Sequence, residues 1–219
     1  MFQFTGKEAL IFKKNYLVLS DLHIGIEREL FGTGINIPAA TDYLIKKVED
    51  LHMKYKTKSI IIVGDLKHNV PKISVLEMKE IPYFIEKLKE IFDKIYILRG
   101  NHDGGLNKII KEDEKVKLLK ELKIGNVVFT HGNMKSNFDC NMYVIGHHHF
   151  VYNLKTYVGE SIYEKVCVIG NFNSKEIIIL PAFSDLAGYW EVGSFHGPIA
   201  KKIKNYSIFT LEGILIKEI

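Results

Sequence analysis

The stretch Lys94-Ile-Tyr-Ile-Leu-Arg-Gly-Asn-His-Asp103 decides the fold. Its first five residues read as a short strand, Gly100 ends the run, and three polar residues follow beyond its carboxyl end. Two upstream runs repeat the arrangement: Ser59-Ile-Ile-Ile-Val-Gly-Asp65 and Tyr16-Leu-Val-Leu-Ser-Asp-Leu-His23. Helical spacing fills the gaps. One helix is expected at about 38–56, opened by Pro38, with Leu44, Ile45, Val48 and Leu51 on one face; a second helical region at about 73–92 is interrupted at Pro82. Strand, helix, strand, helix, strand is the arithmetic of a mostly parallel layer. Such sheets gather their functional loops in the crevice beyond the carboxyl ends of the strands.

Outward from this unit the pattern changes. A strand at about 8–13 precedes it, and a long loop joins the strand at about 16–20 to Pro38. After Asn107 come short strands at about 115–123, 126–130, 142–145, 166–169 and 176–180, then a terminal pair near Ile208 and Ile214. The charged run Lys108–Lys123 reads as a solvated connection and edge strand. These elements predict an α/β chain of two packed sheets with helices outside, in one domain spanning residues 1–219.

Composition sets limits on function. Of the 219 residues 47% are hydrophobic and 26% charged, which suits a globular core and excludes general disorder. The apolar runs are strand-length, so no membrane span is expected, and the amino terminus lacks the pattern of a secretory signal. A cytoplasmic location follows as the expectation. Cys140 and Cys167 have no paired spacing and read as small buried hydrophobes. A net charge of +4 and a pI of about 8.8 tolerate a polyanionic substrate without marking a dedicated nucleic-acid binder. The arginines, Arg28 and Arg99, flank two polar blocks, and Arg28 is a candidate phosphate contact or a local structural ion pair.

Five blocks follow or close predicted strands: Asp21-x-His23, Gly64-Asp65, Gly100-Asn101-His102-Asp103, His131-Gly132 and Gly146-His147-x-His149. Carboxylate and amide oxygens with imidazole nitrogens form a mixed ligand set, better suited to Mn, Fe, Co, Ni or Zn than to Ca or Mg. Each pair alone is weak evidence. Five in this order describe a two-metal phosphoesterase site, where one carboxylate bridges two ions and hydroxide held between them attacks phosphorus. A lone histidine more often satisfies a core hydrogen bond, which is the reading for His52. For the set that reading fails, because so many imidazoles and carboxylates buried without cations would be poorly compensated. His148, between His147 and His149, is expected to point away.

The ordered signature DxH, GD, GNHD, HG and GHxH, running from Asp21 to His149, resembles that of the calcineurin-like metallophosphoesterases. The resemblance implies a four-layer αββα sandwich of two mixed sheets flanked by helices, and a binuclear metal-dependent phosphoric ester hydrolase. It implies that Asp21, His23, Asp65 and His149 hold one divalent ion and Asp65, Asn101, His131 and His147 a second, with Asp65 bridging. Manganese is the first expectation. His102 would serve the departing oxygen as a general acid. Asp103 would orient that imidazole, with capping of a helix ahead of Leu106 as the alternative. The string from Asp21 through Glu27 and Gly34 to Pro38, with Leu180-Pro-Ala-Phe183, is similar to an ICC-like archaeal and bacterial branch, itself similar to DNA-ligase-associated repair phosphoesterases. Phe150 departs from the proline that often follows GHxH. His68, three residues after Asp65, resembles a substrate-handling histidine of double-strand-break-repair nucleases; a surface-loop residue is the alternative.

The implied substrate is a phosphoester, a phosphodiester in a nucleic acid or nucleotide being the leading expectation. A small-metabolite monoesterase, or a nucleic-acid repair or interaction subunit with incidental catalysis, stands as the alternative. Protein partners are left open. The segment 182–199, which holds the single tryptophan, Trp190, is expected to close the core, with a flap at the active-site rim as the other reading.

Overall fold

The computed structural model describes residues 1–219 except 33, 35–38 and 156–158. A first sheet orders β1 (Phe2–Phe4), β2 (Leu10–Phe12), β3 (Tyr16–Leu19), β4 (Ser59–Val63), β5 (Lys94–Leu98) and β6 (Val116–Leu119) edge to edge in chain order. β1 to β3 run antiparallel, and β3 to β6 run parallel. Helices α1 (Glu27–Gly32), α2 (Thr41–Tyr55) and α3 (Val75–Ile91) fall in the crossovers between the parallel strands.

β4 is apolar at nearly every position because both of its faces are covered. Alternate residues divide between two cores, as the period of two requires. Ile60 and Ile62 join Ile95 and Ile97 against Leu44 and Val48 of α2 and Ile81, Phe84 and Leu88 of α3. Ile61 and Val63 face the other way, packing with Val18 and Leu98 onto Val127, Phe129, Val144 and Ile178 of a second sheet.

That second sheet contains β7 (Glu121–Ile124), β8 (Val127–Thr130), β9 (Met142–Ile145), β12 (Cys167–Phe172), β13 (Lys175–Ile179), β15 (Asn205–Phe209) and β16 (Leu215–Glu218). Its order is β16-β15-β12-β13-β9-β8-β7, with β8, β9 and β13 mutually parallel. A small third sheet places β10 (Phe150–Lys155) between β11 (Ser161–Lys165) and β14 (Trp190–Glu191). The mixed two-sheet, helix-flanked α/β layering is therefore present, and its fourth layer is thin. None of the three α-helices contributes to the outer core of the second sheet, which Phe150, Val166, Ile199 and Ala200 cover instead.

Several elements differ from expectation. The single strand expected at 115–123 is two edge strands in different sheets, because the chain leaves the first sheet at Lys120 and enters the second. α3 continues through Pro82, held by the burial of Ile81, Phe84, Ile85 and Leu88 around it. Its start is fixed by a capping box: the Ser74 side chain accepts from Glu77 N–H while Glu77 accepts from Ser74 N–H. α1 occupies part of the expected long loop, and the expected helix opening at Pro38 lies outside the described residues. Cys140 and Cys167 are both buried and free. No helix among the described residues is long and apolar enough to cross a membrane.

Candidate metal centre

Both sheets deliver their carboxyl ends to one place. Beyond the ends of β3, β4 and β5 come Asp21, Asp65 and Asn101, and beyond those of β8 and β9 come His131 and His147. A bridge between Ser20 and Ala182, and the Phe183 and Ser184 N–H groups donating to the Ser20 and Asp21 carbonyls, tie the sheets together there.

The glycines of the blocks make the approach close enough. A Cβ on Gly64 would overlap the His131 ring, one on Gly100 the Asp65 carboxylate and one on Gly146 the Asp21 carboxylate. Asp21, His23, Asp65, His147 and His149 all take left-handed backbone angles, with φ of 57°, 49°, 49°, 74° and 47°. Non-glycine residues adopt that region at a cost of about 1 kcal/mol or more each, and such strain clusters at functional sites.

His131 shows what the centre requires. Its Nδ1 lies 3.1 Å from the Val63 carbonyl, to which it donates, leaving a lone pair on Nε2. That nitrogen faces Asn101 Oδ1 at 3.0 Å, His147 Nδ1 at 3.1 Å and Asp65 Oδ2 at 3.2 Å. Four electron-pair donors converge on one point, and a proton can satisfy only some of them. With the protein alone the centre takes that proton: burial opposes charge on His131, but the Asp65 hydrogen bond and the charges of Asp65 and Asp21 outweigh it, and its pKa rises to about 9. A divalent ion would satisfy the whole set.

A second convergence lies beside it. His149 Nδ1 donates to the Gly188 carbonyl at 2.8 Å, so its Nε2 lone pair faces Asp21 Oδ1 at 3.1 Å and His23 Nε2 at 3.3 Å. Burial holds His23 neutral, with its pKa lowered to about 3. Burial opposes the Asp21 charge as well, yet His149, His131 and His23 hold its carboxyl below the usual range. Asp21 also accepts from His147 N–H at 3.1 Å. Asp65 Oδ2 stands between the two groups, 3.2 Å from His131 Nε2 and 3.9 Å from His23 Nε2. The sets Asp21, His23, His149 and Asp65, His131, His147 can each close on an ion, and the donors fit the group expected there.

A family model described as calcineurin-like phosphoesterase matches residues 14–207. The chain belongs to that family. Among solved structures the chain is similar to nuclease MPE from Pseudomonas putida, at 16% identity and a TM-score of 0.67, with 99% of this chain and 100% of the other covered. It is similar also to the E. coli phosphoesterase YfcE, at 15% identity and a TM-score of 0.45, covering 93% and 97%. No curated protein matches the sequence significantly.

Other residues of the candidate site fall partly where the sequence placed them. His102 lies beside the centre, its N–H donating to Asp65 Oδ1 at 2.9 Å and its Nε2 4.0 Å from Asp65 Oδ2. Asp103 does not orient the His102 ring. Its carboxylate accepts from Lys67 N–H at 3.1 Å and Gly100 N–H at 2.8 Å, bracing two ligand-bearing loops; the His102 ring instead meets the His68 carbonyl through Nδ1. No side-chain cap is formed on the 3-10 turn at Leu106–Lys108. His68 is no surface-loop residue, because its ring stacks on His102 with centroids 5.5 Å apart and its Nδ1 is 3.2 Å from His23 Nδ1. Arg28 is exposed on α1, and no side-chain ion pair joins it to other described residues. His148 turns away from the centre into a buried site, where it accepts from His196 N–H. His52 is half-buried, and its Nδ1 is satisfied by the Thr57 carbonyl at 3.0 Å.

Sequence reasoning missed Glu29, whose Oε2 lies 2.6 Å from His68 Nε2, and Glu77, which accepts from the His68 and Asn69 N–H groups. Ser74-x-x-Glu77 was a readable signal; Glu29 had none, since α1 was read as loop. The segment 182–199 divides: Ile199 joins the core as expected, whereas Trp190 is 61% exposed and lies at the rim. Core closure therefore fails as the role of Trp190, whose backbone is held by pairing between β14 and β10.

Proposed function

We propose that this protein hydrolyses phosphodiesters with two divalent ions. Asp21, His23, Asp65 and His149 would hold one, and Asp65, Asn101, His131 and His147 the other, manganese being the first expectation. The observation carrying this reading is the placement of Asp65 Oδ2 between two Asp/His groups, with the Nδ1 atoms of His23, His131 and His149 already engaged elsewhere. When bound, such ions polarise a phosphoryl oxygen and lower the pKa of water enough for attack at neutral pH.

The chain's own residues then position and protonate. Asp103 locks the loops of β4 and β5 to each other, fixing Asp65 relative to His102. With Nδ1 donating to the His68 carbonyl, His102 presents Nε2 to the cleft, where its protonated form gives a proton to the departing oxygen. The cleft beside the histidines is bordered by Ala187–Trp190 and opens to the surface instead of forming an enclosed pocket. That openness supports a diester over a monoester, and the nuclease named among the structural neighbours is in keeping with a nucleic-acid substrate.

A panel tests the reading. Protein loaded separately with Mn, Ni, Fe or Zn is given a monoester, an aryl diester, cyclic nucleotides and single-stranded DNA. The expected result is metal-dependent hydrolysis with a higher kcat/KM on at least one diester than on the monoester. Faster monoester turnover under every metal would overturn it.

A further inference from the structure

The rim beside the candidate metal centre carries the most exposed aromatic pair among the described residues. Trp190, the single tryptophan, is 61% exposed and its neighbour Tyr189 is 58% exposed. Both line a cavity of about 240 Å³ shared with His23, His68, His102 and His149, with Ile26 also in its wall.

This rim is registered on a candidate ligand. The Gly188 carbonyl accepts from His149 Nδ1 at 2.8 Å, and Trp190 N–H donates back to the His149 carbonyl at 3.3 Å. Pairing of β14 with β10 extends the anchorage, with Phe150 opposite Trp190 and Val151 opposite Glu191. The rings themselves are lightly held. Tyr189 lies 5.6 Å from the Tyr163 ring, and Trp190 meets His196 edge-on at 6.2 Å. The backbone carrying the two rings is thus anchored, while more than half of each residue stays exposed beside the place where a phosphate would sit.

We propose that Tyr189 and Trp190 form a nucleobase subsite, on which an unpaired base adjoining the scissile phosphate stacks. The inference rests on the phosphodiesterase reading and names its substrate class as single-stranded nucleic acid. A ligand offering a phosphate to the histidine-lined floor and a flat apolar group to the aromatic rim has the chemistry of a nucleotide. The base must be unpaired, because inside a duplex both of its faces are already covered by neighbours. Every base has a π face, so recognition here is tolerant of sequence.

The test compares a deoxyribose dinucleotide with its abasic counterpart, which carries the same phosphodiester without bases. Wild-type protein should favour the dinucleotide in kcat/KM. Trp190→Ala and Tyr189→Ala should each reduce the ratio of the two values by about tenfold through KM, and Trp190→Phe should restore most of the preference. In Zn-loaded wild type, tryptophan emission should be quenched by the dinucleotide and far less by the abasic compound. A ratio unmoved by either alanine substitution, or equal quenching by both compounds, would overturn the subsite. Should wild type cleave neither compound under any metal, the phosphodiesterase reading fails by itself, and the fluorescence titration still decides whether a base stacks on Trp190.

Discussion

His23 connects the metal centre to helix α1 through a chain whose proton positions can be followed atom by atom. Its Nε2 is turned toward His149 and Asp65; with an ion held at that nitrogen the neutral ring would carry its proton on Nδ1 and donate to His68 Nδ1 at 3.2 Å. His68 then carries its proton on Nε2 and donates to Glu29 at 2.6 Å. Partners of this kind fix the tautomer of a ligating histidine and raise its basicity. Because Glu29 is 70% exposed, solvent weakens its influence. Glu29→Ala should therefore lower the affinity of the first ion about tenfold, near the small end of such effects, and leave the second nearly unchanged. Titration calorimetry reads this, and two unaltered affinities would sever the link. His102 offers a different outcome. His102→Ala should retain both ions yet slow turnover by about two to four orders of magnitude on a poor leaving group, and by much less on a nitrophenyl ester. Equal losses on both would argue for electrostatic stabilisation instead of proton donation.

At the scale of elements, the loop that leads into the aromatic rim is held by one ion cluster. Asp185 accepts from Lys165 at 2.6 Å and Tyr43 at 3.0 Å and lies 3.5 Å from Lys47, while both lysines also reach Glu8. The cluster joins α2, β11 and the first hairpin to residues 182–185. Burial works against the Asp185 charge, but Lys165 and Lys47 outweigh it and lower its pKa to about 2. A carboxylate with a depressed folded-state pKa adds stability above its unfolded value of about 4, and that contribution disappears as pH falls through its folded value. Thermal unfolding of wild type and Asp185→Asn should thus differ at neutral pH and converge between about pH 4 and pH 2. A difference constant over that window would contradict the account.

What the sequence disclosed follows the same physical lines. β3, β4, β5 and the five polar blocks were legible because a short apolar run followed within two or three residues by Asp, His or Asn, with glycine before three of the blocks, leaves few other readings. α1 was not, since Glu-Arg-Glu-Leu-Phe-Gly is too short to show a periodic face, and with it went the Glu29 link. The division of β6 from β7 was hidden by apolar residues recurring on both sides of Lys120. Trp190 was misplaced because an indole is ordinarily a core residue, and only pairing between β14 and β10 sets it at the rim.

Across the whole molecule, two sheets converge to aim seven candidate ligands at one point, and the backbone is strained at five of them. A fold that holds Asp and His residues in left-handed conformations, with lone pairs directed at each other, is built around cations absent from its own covalent chemistry. The most direct measurement is anomalous diffraction from crystals grown with saturating manganese. The account predicts two peaks, roughly 3.5–4 Å apart. One should lie among Asp21, His23 and His149, the other among Asn101, His131 and His147, with Asp65 touching both. A single peak, or ions bound only outside this set, would contradict it.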